Sequence, residues 1–139
     1  MKRYNNLKIK PNASAPEASG QHKNLKPNSP SISFDDFSKP DLRIGTVIRA
    51  EYFAEARKPA IKLWIDFGSL GIKKSSAQIT HRYNPEMLID RQVVAVINFP
   101  PKQIANFISE CLVLGAINDQ NEVVLLNPEF PAVNGGEVK

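Results

Sequence analysis

Cysteine and histidine are nearly absent from this chain: there is one cysteine, Cys111, and two histidines, His22 and His81. A single thiol excludes an internal disulfide, and without a Cys/His cluster no zinc-type site can be built. No metal and no cofactor is therefore expected. Apolar runs are short as well, and none approaches the roughly 20 residues a membrane-spanning helix needs. The first residues contain no apolar stretch of the kind a secretory signal carries. Also missing are a glycine-rich phosphate loop, a nucleophile elbow and a second histidine to complete an active site. Asp35, Asp36 and Asp41 lie close together, but acids beside a strand start usually solvate or cap. The expectation is a soluble, cytoplasmic protein that is not an enzyme.

Charge is present but unevenly placed. Residues 1–30 hold six Lys/Arg against one acid, Glu17, whereas residues 31–139 hold twelve against thirteen. The pI of about 9.3 therefore belongs to the N-terminal stretch, and the remainder is close to neutral. Residues 1–31 are rich in Pro, Asn, Ser and Lys and poor in large apolar side chains. Such a segment cannot offset its ordering entropy, so a disordered tail is expected. Its scattered lysines suit a solvated extension better than a phosphate-binding arm. One domain, residues 32–139, should follow.

Within that domain the hydrophobic pattern alternates with the period of strands. Residues 42–50, 61–67 and 72–80 read as three strands. Asn84-Pro85-Glu86 supplies a capping side chain, a proline at the first helical position and an early acid, so a helix of about two turns starts there. Residues 93–97 read as a buried strand that Pro100-Pro101 ends, because neither proline can donate to a ladder. Residues 111–116 and 123–126 are two further strands around a polar turn at 118–121. Three strands, a short helix and then more strands is the arrangement of an all-β, five-stranded OB-fold barrel with extra terminal strand segments, an order that other small barrels share.

The chemistry concentrates in residues 72–115. Lys73, Lys74, Ser75, Ser76 and Gln78 lie on or beside the third strand, where an OB-fold presents its ligand face. They are RNA-contact candidates, weighed against a merely solvated outer face. His81, Arg82 and Tyr83 could offer charge and stacking to a base. Lys102 is the cation of the segment after Pro100-Pro101. Phe99, Ile104, Phe107 and Ile108 flank the same turn, and exposed apolar groups of this size mark interaction surfaces. Phe99 is expected partly in the core, and Ile104 and Phe107 are the preferred exposed pair. Trp64 alternates with Leu63 and Ile65 on an outward position, which favours a dimer seam over a ligand role.

Several blocks resemble one family. Asp41-Leu42-Arg43-Ile44-Gly45-Thr46-Val47 is similar to the opening strand of the tRNA-binding domain family. Pro59-Ala60-Ile61-Lys62-Leu63, Asp66-Phe67-Gly68, Ser75-Ser76-Ala77-Gln78-Ile79-Thr80 and Asn98-Phe99-Pro100-Pro101 resemble its CsaA branch. The resemblance covers about residues 33–139. It implies an OB-fold homodimer with two ligand classes: unfolded or preprotein segments, as in an export-related chaperone, and tRNA or structured RNA. It also brings in the SecA translocase as a candidate partner. In this chain the stretch from Lys102 to Ile108 keeps one cation, with Gln103 where CsaA-type members commonly carry a second and Asn106 where they carry Gly. Each lost cation removes about one phosphate contact. That places polypeptide binding through Phe99, Ile104, Phe107 and Ile108 first, and a tRNA-binding module without a chaperone role second.

Overall fold

A computed structural model describes residues 29–139. Residues 1–28, which make up most of the expected tail, lie outside the described residues. Ile32–Lys139 forms one unit, which opens with a short helix, α1 (Phe34–Ser38). Its cause is local: the Ser33 side chain accepts from the Asp36 N–H, and the Asp36 carboxylate accepts from the Ser33 N–H. This reciprocal capping box satisfies two otherwise orphaned donors. The clustered acids thus include a cap, as acids beside a strand start often do, in a short helix where the sequence pattern marked no element.

The strands follow in the expected order: β1 (Leu42–Tyr52), β2 (Ile61–Asp66) and β3 (Ile72–Ala77), then helix α2 (Pro85–Leu88) and β4 (Gln92–Val96). Asn84 caps α2 by accepting the Met87 N–H at 3.0 Å. After β4 come a hairpin of β5 (Lys102–Ile104) and β6 (Phe107–Ser109), the short β7 (Leu112–Val113), and a hairpin of β8 (Gly115–Ile117) and β9 (Val123–Leu125). The main sheet runs β3-β2-β1-β4-β7, antiparallel throughout. Beyond the ladder, the Glu110 N–H donates to the Lys74 carbonyl at 2.7 Å, and the Ser75 hydroxyl donates to the Cys111 carbonyl at 2.9 Å. These bonds draw the two edges together into a nearly closed OB-fold barrel.

One irregularity sets which side chains face inward. The register of β1 on β2 shifts between Val47 and Arg49, so Ile48 is an extra, bulged residue. Before it, Val47 stands opposite Ile65; after it, Ala50 stands opposite Leu63 and Tyr52 opposite Ile61. The bulge therefore moves the inward set from odd to even positions and leaves Ile48 44% exposed. It also lets one strand pair with β4 along its first half and with β2 along its second. The core is Val47, Ile61, Leu63, Ile65, Phe67, Leu88, Val93 and Ala95 with their neighbours.

Helix α2, at 4 residues, is shorter than the two turns expected, and two strand expectations differ as well. The segment read as a connection after Pro100-Pro101 is the β5–β6 hairpin, closed by Ala105 and Asn106 with Ile104 opposite Phe107. Hairpin turns of this length usually announce themselves with glycine; here Ala105 itself takes the positive φ of 50°. The strand read at 111–116 is in fact two. β7 stays on β4, while β8 peels away to pair with β9. Near the C-terminus, the Gly135 and Val138 N–H groups donate to the Ile44 and Leu42 carbonyls. This covers the edge of β1 left open where β2 stops opposite Thr46.

Candidate nucleic-acid interface

The outward face of β1, β2 and β3 is built in cross-strand rows. Trp64 pairs with Arg49 on one side and Lys74 on the other, and Lys62 pairs with Glu51 and Ser76. The Arg49 guanidinium lies 4.2 Å from the Trp64 ring centroid. The β5–β6 hairpin folds back over this face and inserts Phe107, edge-on to Phe53 at 5.4 Å and to Trp64 at 5.7 Å. Lys62 and Lys74 stand 5.7 and 5.2 Å from the Phe107 ring. The result is a second apolar cluster of Phe53, Ala60 and Phe107, with Trp64 and Ile104 packed against it. Arg49 and Lys62 both also engage Glu51. The Arg49 hydrogen bond, more than any other contact, holds the Glu51 carboxyl below the usual carboxylate range.

Beside this cluster lies a groove of about 910 Å³ between the β1–β2 loop and the hairpin. Arg57 and Lys58 stand on the loop side, Ser76 and Gln78 form the floor, and Lys102 and Ile104 stand on the hairpin side. The loop is closed at its base by the Phe53 N–H donating to the Ala60 carbonyl at 3.0 Å. Its tip, including Arg57 and Lys58, is exposed. Among the described residues, no Asp or Glu forms an ion pair with Arg57, Lys58 or Lys102. Next to the groove is a smaller, largely apolar concavity of about 290 Å³ lined by Phe99, Pro100 and Leu112. Lys102, Ser109, Cys111 and Leu112 line both.

The structure sorts the candidate residues into several places. Strand alternation puts Lys74, Ser76 and Gln78 on the outer face and gives Lys73 the opposite parity, shared with Ser75 and Ala77. Ser75 is 1% exposed and its hydroxyl bonds to the Cys111 carbonyl. This corrects its expected place on the surface: it is a barrel-closing residue. Arg82 leaves the groove altogether and pairs with Glu122 at 3.4 Å. Tyr83 accepts the Leu125 N–H through its hydroxyl at 2.9 Å, which ties β9 to the turn containing His81. His81 is exposed there and lines neither concavity.

The apolar set is also rearranged. Phe107, expected in the exposed pair, is 6% exposed, whereas Phe99, expected partly in the core, is 53% exposed. The physical reason is the hairpin, whose two-residue turn directs Phe107 onto the sheet. Ile108 points the other way and is exposed, and Ile104 is half-buried. Trp64 is half-buried against Phe107 and Arg49, which accounts for its outward position within one chain. Arg57 and Lys58 were not singled out by the sequence reading. The adjacent cations were visible, but nothing in a strand-breaking stretch said that a distant hairpin would face them. Among the described residues no group of His, Cys, Asp and Glu could hold a metal ion. Burial pushes the Cys111 thiol up to about 12.

Comparison with known proteins gives the family. The family described as a putative tRNA binding domain matches residues 42–137. The chain belongs to this tRNA-binding domain family. Within it the chain is of CsaA type. It is 58% identical to chaperone CsaA of Bacillus anthracis str. Ames, over 79% of this chain and 100% of that one, with a TM-score of 0.74. The CsaA chaperone protein of Picrophilus torridus is 51% identical, over 78% of this chain and 100% of that one, with a TM-score of 0.73. The methionine–tRNA ligase of Chlorobium chlorochromatii (strain CaD3) is 36% identical over 79% of this chain. The chain spans 15% of that ligase's length.

Proposed function

We propose that this family member binds tRNA or similarly structured RNA in the groove between the β1–β2 loop and the β5–β6 hairpin. The observation that carries this reading is the set of three exposed cations, Arg57, Lys58 and Lys102, around a concave, polar-floored groove. Glu55 lines it too, but among the described residues no acid forms an ion pair with the three cations. A buried or paired cation is already compensated by protein; these three are set to neutralise phosphates. The floor of Ser76 and Gln78 adds hydrogen-bonding groups for sugars and base edges. Titration of the purified protein with bulk tRNA across a salt series tests the reading. Arg57→Ala and Lys102→Ala should each weaken binding and lower the log–log salt slope by about one. Unaltered slopes in both variants would move the site elsewhere.

A second reading, polypeptide holding, is supported by exposed Phe99 and Ile108 and by the apolar concavity beside the groove. Both solved relatives carry the word chaperone in their names. Affinity for an unfolded polypeptide that is indifferent to salt would favour it. An export-related role and a SecA partner depend on this second reading. A homodimer is supported by exposed apolar residues near both ends of the domain, among them Ile32, Phe34, Phe130 and Val133. A cytoplasmic location accords with RNA as ligand; among the described residues no helix is long and apolar enough to cross a membrane.

A further inference from the structure

The groove alone offers phosphates a place but offers bases little. Its floor and walls hold hydroxyls, amides and aliphatic groups, and the aromatic face of the sheet beside it is closed. Trp64 and Phe53 meet the chain's own Phe107 edge-on, and Arg49, Lys62 and Lys74 lie over the rings. An RNA lying in the groove therefore finds no aromatic platform there. The concavity next door supplies one. Phe99 is 53% exposed and lines it, together with Pro100, Leu112 and Glu110, whose carboxylate accepts the Lys74 N–H at 2.9 Å. Among the described residues, the ring contacts of Phe53, Trp64 and Phe107 do not extend to Phe99.

Two features fit Phe99 for stacking. It immediately precedes Pro100-Pro101, so its own backbone is restricted to extended conformations and the following two φ angles are fixed by rings. The phenyl group is thus presented from a stiff segment, with little entropy to lose on binding. Continuity with the cationic groove is the second feature, because Lys102, Ser109, Cys111 and Leu112 line both concavities. A strand whose phosphates rest on Arg57, Lys58 and Lys102 can turn one base past Lys102 without leaving the surface. The space of about 290 Å³ has room for a planar base.

We propose that the Phe99 concavity is a base-stacking subsite that takes one unpaired nucleotide of the RNA held in the groove. The subsite rests on the RNA-binding reading given above and makes the ligand a folded RNA with an extruded or unpaired base beside its contacted phosphates. Base–aromatic stacking changes affinity by roughly 5- to 150-fold on alanine substitution, and a loss of about tenfold is expected here. Because Phe99 carries no charge, that loss should come without a change in salt slope, which separates it from removal of Lys102.

The test uses the full chain and fluorescently labelled bulk tRNA, with Phe99→Ala, Phe99→Trp and Lys102→Ala compared by anisotropy across salt. Weaker binding in Phe99→Ala at unchanged slope, restored in Phe99→Trp, supports the subsite. If Phe99→Ala binds tRNA as the parent does, the subsite is overturned while the groove reading stands. If the parent protein itself binds no tRNA, both fall. A Phe99→Ala variant that keeps tRNA but loses an unfolded polypeptide assigns the concavity to polypeptide and overturns the proposal. A changed oligomeric state by light scattering does the same, because a second copy then covers Phe99. The exposure of Phe99 predicts an unchanged melting temperature.

Discussion

At the scale of single residues, the barrel is decided by small groups in tight places. Gly45 lies mid-strand, where glycine is ordinarily unfavourable. A Cβ there would meet Ile65 Cγ2 at 2.5 Å and the Phe67 ring at 2.7 Å. These are core side chains with nowhere to move, so Gly45→Ala should destabilise the domain by about 1–3 kcal/mol in chemical denaturation. An alternating pattern marks Gly45 as part of a strand but cannot say that Phe67 arrives above it. Cys111 shows the same limit. Its strand-like context suggests burial, whereas the state of its thiol follows from what surrounds it. Desolvation first, and the nearby Glu110 charge second, favour the neutral thiol and push its pKa up to about 12. Alkylation of native protein at pH 8 should therefore be slow and should rise to the rate of a free thiol on unfolding. Rapid native labelling by iodoacetamide would contradict the burial described.

At the scale of elements, the β8–β9 hairpin packs Val123 and Leu125 against the core and closes its turn with polar contacts. The Asn118 side chain accepts the Glu122 and Gln120 N–H groups and donates to the Glu122 carboxylate at 3.1 Å. That bond, and then Arg82, lowers the Glu122 pKa. A carboxyl held below its unfolded value stabilises the fold fully above that value and ceases to do so as pH falls through the lowered one. Acidification below the ordinary glutamate range should therefore loosen this hairpin, seen as amide exchange broadening at Asn118 and Glu122 by NMR. Strand existence was readable in the β8–β9 hairpin from local alternation and the polar turn at 118–121, whereas β5 and β6 read as a connection. Pairing was not. The β5–β6 hairpin lacks a glycine turn signal, and its closure depends on Phe107 reaching Phe53 and Trp64, residues more than forty positions earlier.

At the scale of the whole molecule, exposed apolar side chains gather where the domain begins and ends. Ile32, Phe34 and Phe37 lie in or beside α1, and Phe130 and Val133 lie in the C-terminal segment. With a near-neutral domain, such groups favour association of copies over remaining solvated. On the homodimer proposed above, Phe34→Asp combined with Phe130→Asp should give monomer by light scattering, with tRNA affinity falling if two grooves act on one RNA. A dimer that survives both substitutions would place the interface on another surface.

Alternation, the proline pair and the Asn84-Pro85 cap determined by themselves an all-β barrel with one short helix in the middle, because those signals are local and have period two or a fixed cap spacing. The blocks from Asp41 to Pro101 likewise determined the family. Tertiary structure alone decided which candidates share a surface. A bulge at Ile48 changed the phase of β1, alternation separated Lys73 from Lys74, and the β5–β6 hairpin buried Phe107 while leaving Phe99 in the open. It also brought Arg57 and Lys58 to face Lys102 across the groove. These outcomes depend on contacts between residues far apart in the chain, and no local pattern encodes which distant side chain will fill a given face.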